Sequence, residues 1–159
     1  MGTCHIWHGK KRMTAHILSY RRIRRYLASV FDTPHRIYAF SHVRSTMEIA
    51  EFLLTNAGAE IIRASNGKEA VEAFAKSDVG EVNVILMDIM MPVMDGMEAT
   101  REIRTMNRSD ASAVVIIAMT ANAFTEDKTK ALKSGMDDYL TKPLESEKLI
   151  RALSRYKHN

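Results

Sequence analysis

Three polar side chains close three short apolar runs in this chain. Asp88 follows Val82-Asn83-Val84-Ile85-Leu86-Met87, Thr120 follows Ala113–Met119, and Lys142 follows Asp138-Tyr139-Leu140-Thr141. Brought to one end of one sheet, they make a nucleophile, a hydroxyl donor and a cation, a set suited to a phosphoryl group. Each has a plainer reading alone. Asp is a common turn former, and Pro92 and Asp95-Gly96 follow it closely. Thr120 could be an ordinary strand-end threonine, and Lys142 a surface lysine ahead of a helix. The shared position at strand ends separates the two readings.

The elements that must position these residues follow from periodicity. Four of the five residues from Val82 to Leu86 are apolar, and β-branched residues lead. That pattern predicts a strand buried on both faces, as in a parallel sheet. The first strand is expected over Arg36–Phe40, then a helix over Ser45–Ala57 closed by Gly58. A strand over Ala59–Ala64 precedes a turn at Ser65-Asn66-Gly67 and a helix over Lys68–Lys76. After the strand ending at Asp88 come a helix over Gly96–Met106, a strand over Ala113–Met119 and a helix over Ala121–Ser134. A strand over Asp138–Leu140 and a helix over Leu144–Tyr156 complete the chain. Strand and helix alternate five times, which predicts a doubly wound parallel sheet. In such sheets chemistry sits outside the carboxyl ends of the strands, where Asp88 falls.

The wording of several stretches is more specific than their periodicity. Leu86-Met87-Asp88, Met91-Pro92-Val93-Met94-Asp95-Gly96, Met119-Thr120-Ala121-Asn122-Ala123, Gly135-Met136-Asp137-Asp138-Tyr139 and Lys142-Pro143 resemble the receiver domains of two-component response regulators. They are closest to receivers attached to hybrid histidine kinases. The resemblance runs from about Arg36 to the C-terminus. It implies a flavodoxin-like (βα)5 fold with strand order 2-1-3-4-5 and Asp88 as phosphoacceptor. It also implies that Lys142, aimed by a cis bond to Pro143, pairs with a phosphoryl oxygen. Thr120 would give its hydroxyl to the phosphate, Tyr139 would be the aromatic that follows Thr120, and Ala121 the small residue that leaves the approach open. Asp88 and the backbone carbonyl of Met90 would be ligands of a Mg²⁺ ion. The implied donor is a histidine kinase or a phosphotransfer protein, with an output partner on the Thr120/Tyr139 face. The implied activity is that of a cytoplasmic switch, not an enzyme beyond its own phosphorylation and dephosphorylation. The chain would be a stand-alone receiver or a fragment of a hybrid kinase.

One departure from the family pattern stands out. The acidic pair that receivers carry just after the first strand falls here on Ser41-His42. Mg²⁺ favours hard oxygen ligands, and imidazole suits softer metals, so the cation is expected to bind weakly. A degenerate receiver, acting as a phosphate-independent protein-binding module, is the alternative this raises. A flavodoxin-like enzyme or flavin binder finds less support, because Ser41-His42-Val43-Arg44 offers no glycine loop to cradle phosphate.

Composition bounds the rest. The 159 residues suit one domain with a sizeable core. No apolar run approaches the ~20 residues that span a bilayer, no signal peptide is visible, and a lone Cys4 cannot form an internal disulfide. Residues 1–45 hold nine Lys/Arg against one Asp, and residues 46–159 hold 14 against 18 Asp/Glu, so the net charge of +4 comes from the head. Residues 1–35 also carry four of the six His and the only Trp. This segment is expected to be a poorly ordered basic extension ahead of a receiver over 36–159. A wrong start or misread frame over residues 1–43 or so, joined to an ordinary receiver, is the other explanation of Ser41-His42. Ile17, Tyr20, Ile23, Leu27, Val30 and Phe31 recur at roughly helical spacing beside Arg21, Arg22, Arg24 and Arg25. A basic amphipathic helix touching phosphates or an acidic membrane is the other reading. The receiver itself is not expected to contact nucleic acid. Cys4, His5, His8 and His16 match no strong zinc spacing.

Overall fold

The computed structural model describes residues 36–122 and 125–156, together with Arg21, Arg24 and Arg25, which are helical and exposed. The remaining expectations about residues 1–35 lie outside the described residues. Strands and helices alternate as β1 (Arg36–Phe40), α1 (Arg44–Thr55), β2 (Glu60–Ala64), α2 (Gly67–Lys76), β3 (Val82–Asp88), α3 (Gly96–Thr105), β4 (Val115–Thr120), α4 (Thr125–Lys133), β5 (Asp138–Thr141) and α5 (Ser146–Ser154). The five strands form one parallel sheet in the order β2-β1-β3-β4-β5. The doubly wound sheet expected from the alternation is therefore observed.

Strand parity divides the core into two halves. Ile37 and Ala39 of β1, Val84 and Leu86 of β3, and Val115, Ile117 and Met119 of β4 pack with Met47, Ala50, Leu53 and Leu54 of α1 and Leu149, Ile150 and Leu153 of α5. Tyr38 and Phe40, Ile85 and Met87, and Ile116 and Ala118 face the other way, onto Ala70 and Phe74 of α2, Ala99 and Ile103 of α3, and Ala131 of α4. Successive strand side chains point to opposite faces, so a strand covered on both faces must be apolar throughout. β4 is buried at every position, whereas the edge strand β2 is not.

Element ends differ from the sequence expectation where turn hydrogen bonds take the backbone groups first. The helix expected from Ala121 starts at Thr125. The Thr120 hydroxyl accepts from the Asn122 amide and donates to the Asn122 carbonyl, holding residues 120–122 in a turn. β4 starts at Val115 rather than Ala113, because the amides of Ala113 and Val114 both bond the Asp110 carbonyl. Gly58, at φ +92°, turns the chain after α1 as expected.

Candidate functional site

The register of the sheet sets Asp88 among groups from three strands. Phe40 of β1 pairs with Met87 of β3, so Ser41 follows β1 alongside Asp88. Met119 of β4 pairs with Asp88 on the other side. Past the ladder, the Ile89 amide bonds the Met119 carbonyl and the Lys142 amide bonds the Thr120 carbonyl, so the ends of β3, β4 and β5 are tied together. The Lys142–Pro143 bond is cis, as the sequence resemblance implied.

Asp88 is 1 % exposed and its carboxylate accepts from three donors. Oδ2 accepts from the Ser41 hydroxyl at 2.5 Å and from the Lys142 ammonium at 2.5 Å. Oδ1 accepts from the Met90 amide at 3.1 Å. A buried carboxylate needs such compensation, since charge taken out of water is costly unless paired and hydrogen-bonded. Ser41 is fixed in turn: its amide bonds the Ala64 carbonyl, and its hydroxyl oxygen accepts from the Val43 amide.

The other residues singled out from the sequence stand farther off. His42 Nδ1 lies 4.0 Å from Asp88 Oδ2, beyond hydrogen-bond range. Thr120 is buried and its hydroxyl is bonded to Asn122. Ala121 is exposed. Tyr139 is half-buried, with the Lys128 ammonium 4.3 Å from its ring centroid, a cation–π contact that periodicity did not announce. Around the mouth of the site, Met90 and Val93 are 71 % and 82 % exposed. The sequence flagged Ser41 only as a missing acid. Its role as a donor to Asp88 depends on the β1–β3 register and could not be read from spacing.

Residues 43–154 match the response regulator receiver domain family. The chain belongs to this family. The match begins beyond β1 and Ser41-His42. Among curated relatives, a hybrid signal transduction histidine kinase of Dictyostelium discoideum is 35 % identical over 76 % of this chain. The sensor protein GacS of Pseudomonas syringae is 37 % identical over 68 %. The chain spans only 7 % and 12 % of the lengths of these two relatives. Among solved structures, the receiver domain of a Pseudomonas aeruginosa sensor histidine kinase, crystallised with magnesium coordinated in its active-site cleft, is 34 % identical, with a TM-score of 0.69, covering 78 % of this chain and 98 % of that one. A chain of the co-crystal of the Saccharomyces cerevisiae phosphotransfer protein Ypd1 with the receiver of Ssk1 is 28 % identical, with a TM-score of 0.68, covering 78 % of this chain and 89 % of that one. The protein is thus a receiver of two-component signalling with the flavodoxin-like fold.

The side chains of this receiver do not fit a Mg²⁺ ion. Among the described residues, no three His, Cys, Asp or Glu side chains are grouped to hold a metal. Asp88 is, among the described residues, the one carboxylate in this cluster, and its Oδ2 already faces an ammonium. Two unit charges 4 Å apart attract by about 4 kcal/mol at an effective dielectric of about 20, so each absent carboxylate forfeits an attraction of that order for a dication. The groups that follow β1 beside Asp88 are the Ser41 hydroxyl and the half-exposed imidazole of His42, neither of them a carboxylate. Among the described residues no helix is long and apolar enough to cross a membrane.

Proposed function

We propose that this receiver accepts a phosphoryl group on Asp88 from a histidine kinase or a phosphotransfer protein, as part of a cytoplasmic phosphorelay. The observation that carries the reading is Lys142 Nζ, drawn from the end of β5 to 2.5 Å from Asp88 Oδ2 at the end of β3, in a chain of the receiver family. One carboxylate oxygen of Asp88 forms a bond to phosphorus as the phosphorus–nitrogen bond of a phosphohistidine breaks. The electron pair of that bond stays on the imidazole. Lys142, freed of part of its pairing with the carboxylate, follows the charge onto the phosphoryl oxygens. Thr120 leaves its turn with Asn122 to give its hydroxyl to the same group, and Tyr139 follows it. The output is a population shift of the Thr120/Tyr139 face, read by a partner. Exposed Met90 and Val93 give a donor protein apolar surface beside the acceptor. The domain unit we propose runs over residues 36–159.

A second reading has one specific observation in its favour. With Ser41 and His42 at the acidic positions, the site could serve a binding module that no longer uses phosphate. The two readings part on one experiment. The full chain is incubated with a small acyl phosphate or phosphoramidate and the adduct is mapped by mass spectrometry. We expect label on Asp88 and none in Asp88→Asn. Label that persists in the Asn variant overturns the assignment, and no label on any variant favours the binding module.

A further inference from the structure

We infer that Asp88 takes its phosphoryl group without a divalent cation, its counter-charge being the Lys142 ammonium, with the neutral Ser41 hydroxyl as a hydrogen-bond donor beside it. The inference rests on the acceptor reading above and concerns how that acceptor is powered. Three donors converge on Asp88: Ser41 and Lys142 on Oδ2, and the Met90 amide on Oδ1. A cation approaching Oδ2 must displace a hydroxyl and an ammonium, both at 2.5 Å. The ammonium repels it throughout.

The groups a cation would gain are poor ones. Ser41 Oγ is a neutral oxygen already engaged with Val43 and Asp88. His42 Nδ1 is a softer donor 4.0 Å from the carboxylate. Neither replaces a carboxylate for a small hard ion that demands near-ideal oxygen geometry. Ser41 instead does what the resident cation would otherwise do for Asp88. It fixes one oxygen and withdraws negative charge from it through a short hydrogen bond. Its own place is set by β1, through the bond from its amide to Ala64. Ser41 is in this sense a positioning residue for the acceptor. The balance of the transfer needs no further reactant. The oxygen–phosphorus bond forms, and the phosphorus–nitrogen bond breaks with its electron pair on the donor nitrogen, which departs as a neutral protonated amine or imidazole. Lys142 offsets one of the two negative charges of the acyl phosphate.

The test uses the full chain with phosphoramidate, in excess magnesium and in excess chelator, alongside a direct magnesium titration without phosphodonor. We expect the two labelling rates to agree within about twofold, and no saturable magnesium binding through the millimolar range. In the double variant Ser41→Asp, His42→Asp, magnesium should bind and speed labelling by about tenfold or more. Ser41→Ala should slow labelling about tenfold in both media, and Ser41→Thr should restore it. Two results overturn the inference while leaving Asp88 as acceptor: wild-type labelling that collapses in chelator, or millimolar magnesium binding by the wild type. Labelling seen in the double variant alone also overturns it. No adduct on any variant removes the acceptor reading itself, and the magnesium titration then still decides whether the cation site exists.

Discussion

The two edges of the sheet use ionic side chains in opposite ways. At the edge where the strands begin, single arginines gather several acceptors each. Arg104 donates to the carbonyls of Ala111, Val114 and Gly135 and to the Asp137 carboxylate. Arg108 donates to the carbonyls of Phe74, Ser77 and Asp78, pairs with both oxygens of Asp110, and lies 4.2 Å from the Phe74 ring centroid. At the edge where the strands end, one carboxylate gathers several donors. An arginine has five donors in a rigid fork and never loses its charge. It suits loop carbonyls that would otherwise lack partners. A carboxylate ringed by donors is held in one place, as the acceptor role proposed for Asp88 requires. The first edge is built for stability, and the second holds a charge that the fold would not need.

The largest effect should come from the backbone that carries the reactive edge. A Cβ added at Gly96 would meet the Asp88 carbonyl oxygen at 2.1 Å. That oxygen is main chain and cannot step aside, and the Gly96 amide is also bonded to the Ile89 carbonyl. Gly96→Ala should cost more than about 4 kcal/mol, in the range reserved for severe strain, as read by denaturant unfolding. A loss below about 1 kcal/mol would mean the loop after β3 yields easily, and that the close approach is not what shapes the site.

Side chains at the two edges should separate next. Arg108→Met keeps the apolar stem over Phe74 but leaves the Phe74, Ser77 and Asp78 carbonyls without this donor. Asp110 loses the guanidinium and keeps the Gly80 amide, and the change should cost about 3 kcal/mol. Asp88→Asn keeps shape and removes a buried charge, but its amide nitrogen cannot accept, so at least one of the three donors loses its acceptor. Its net change should be about 1 kcal/mol. If both variants unfold at the same denaturant midpoint, the contrast between a structural edge and a reactive edge is broken.

What could be read in advance follows the same division. β3 and β4 were legible because a strand covered on both faces shows an unbroken apolar run. The strand-end positions of Asp88 and Thr120 were legible because each ends such a run. That of Lys142 was legible from its Lys-Pro wording, since Asp138-Tyr139-Leu140-Thr141 is only half buried. The helix after Thr120 was expected too early, since the competition between a hydroxyl and the helix for the backbone of residues 120–122 leaves no mark on periodicity. Arg104 and Arg108 went unnoticed for a related reason. Their partners are carbonyls of any residue type, many of them about thirty positions away, and a carbonyl carries no sequence signature. Ser41 was noticed for the charge it lacks, but its bond to Asp88 spans 47 positions and appears only once β1 and β3 are in register.

A pH-dependent effect probes the stable edge by acid. The Arg108 guanidinium, bonded to both carboxylate oxygens of Asp110, holds that carboxyl at about 2, below its ordinary 3.8, with the Gly80 amide adding to the shift. The unfolded chain therefore binds a proton at Asp110 at a higher pH than the folded chain does. The stability from this pairing is fully present above about pH 4 and is lost as pH falls through about 2. Within that window unfolding takes up at most one extra proton at this site, a slope of at most about 1.4 kcal/mol per pH unit. Other carboxylates contribute slopes of their own, Glu69 among them, held low by its bonds to Ser65. The measurement is therefore a difference: denaturant unfolding of the wild type and of Asp110→Asn at several points between pH 5 and 2. The Asn variant should be less stable at pH 5, and the gap should narrow as pH falls. A gap that stays constant, or widens, across this range would show that Asp110 serves Arg108 as a neutral acceptor, and that the ionic character assigned to this edge is misplaced.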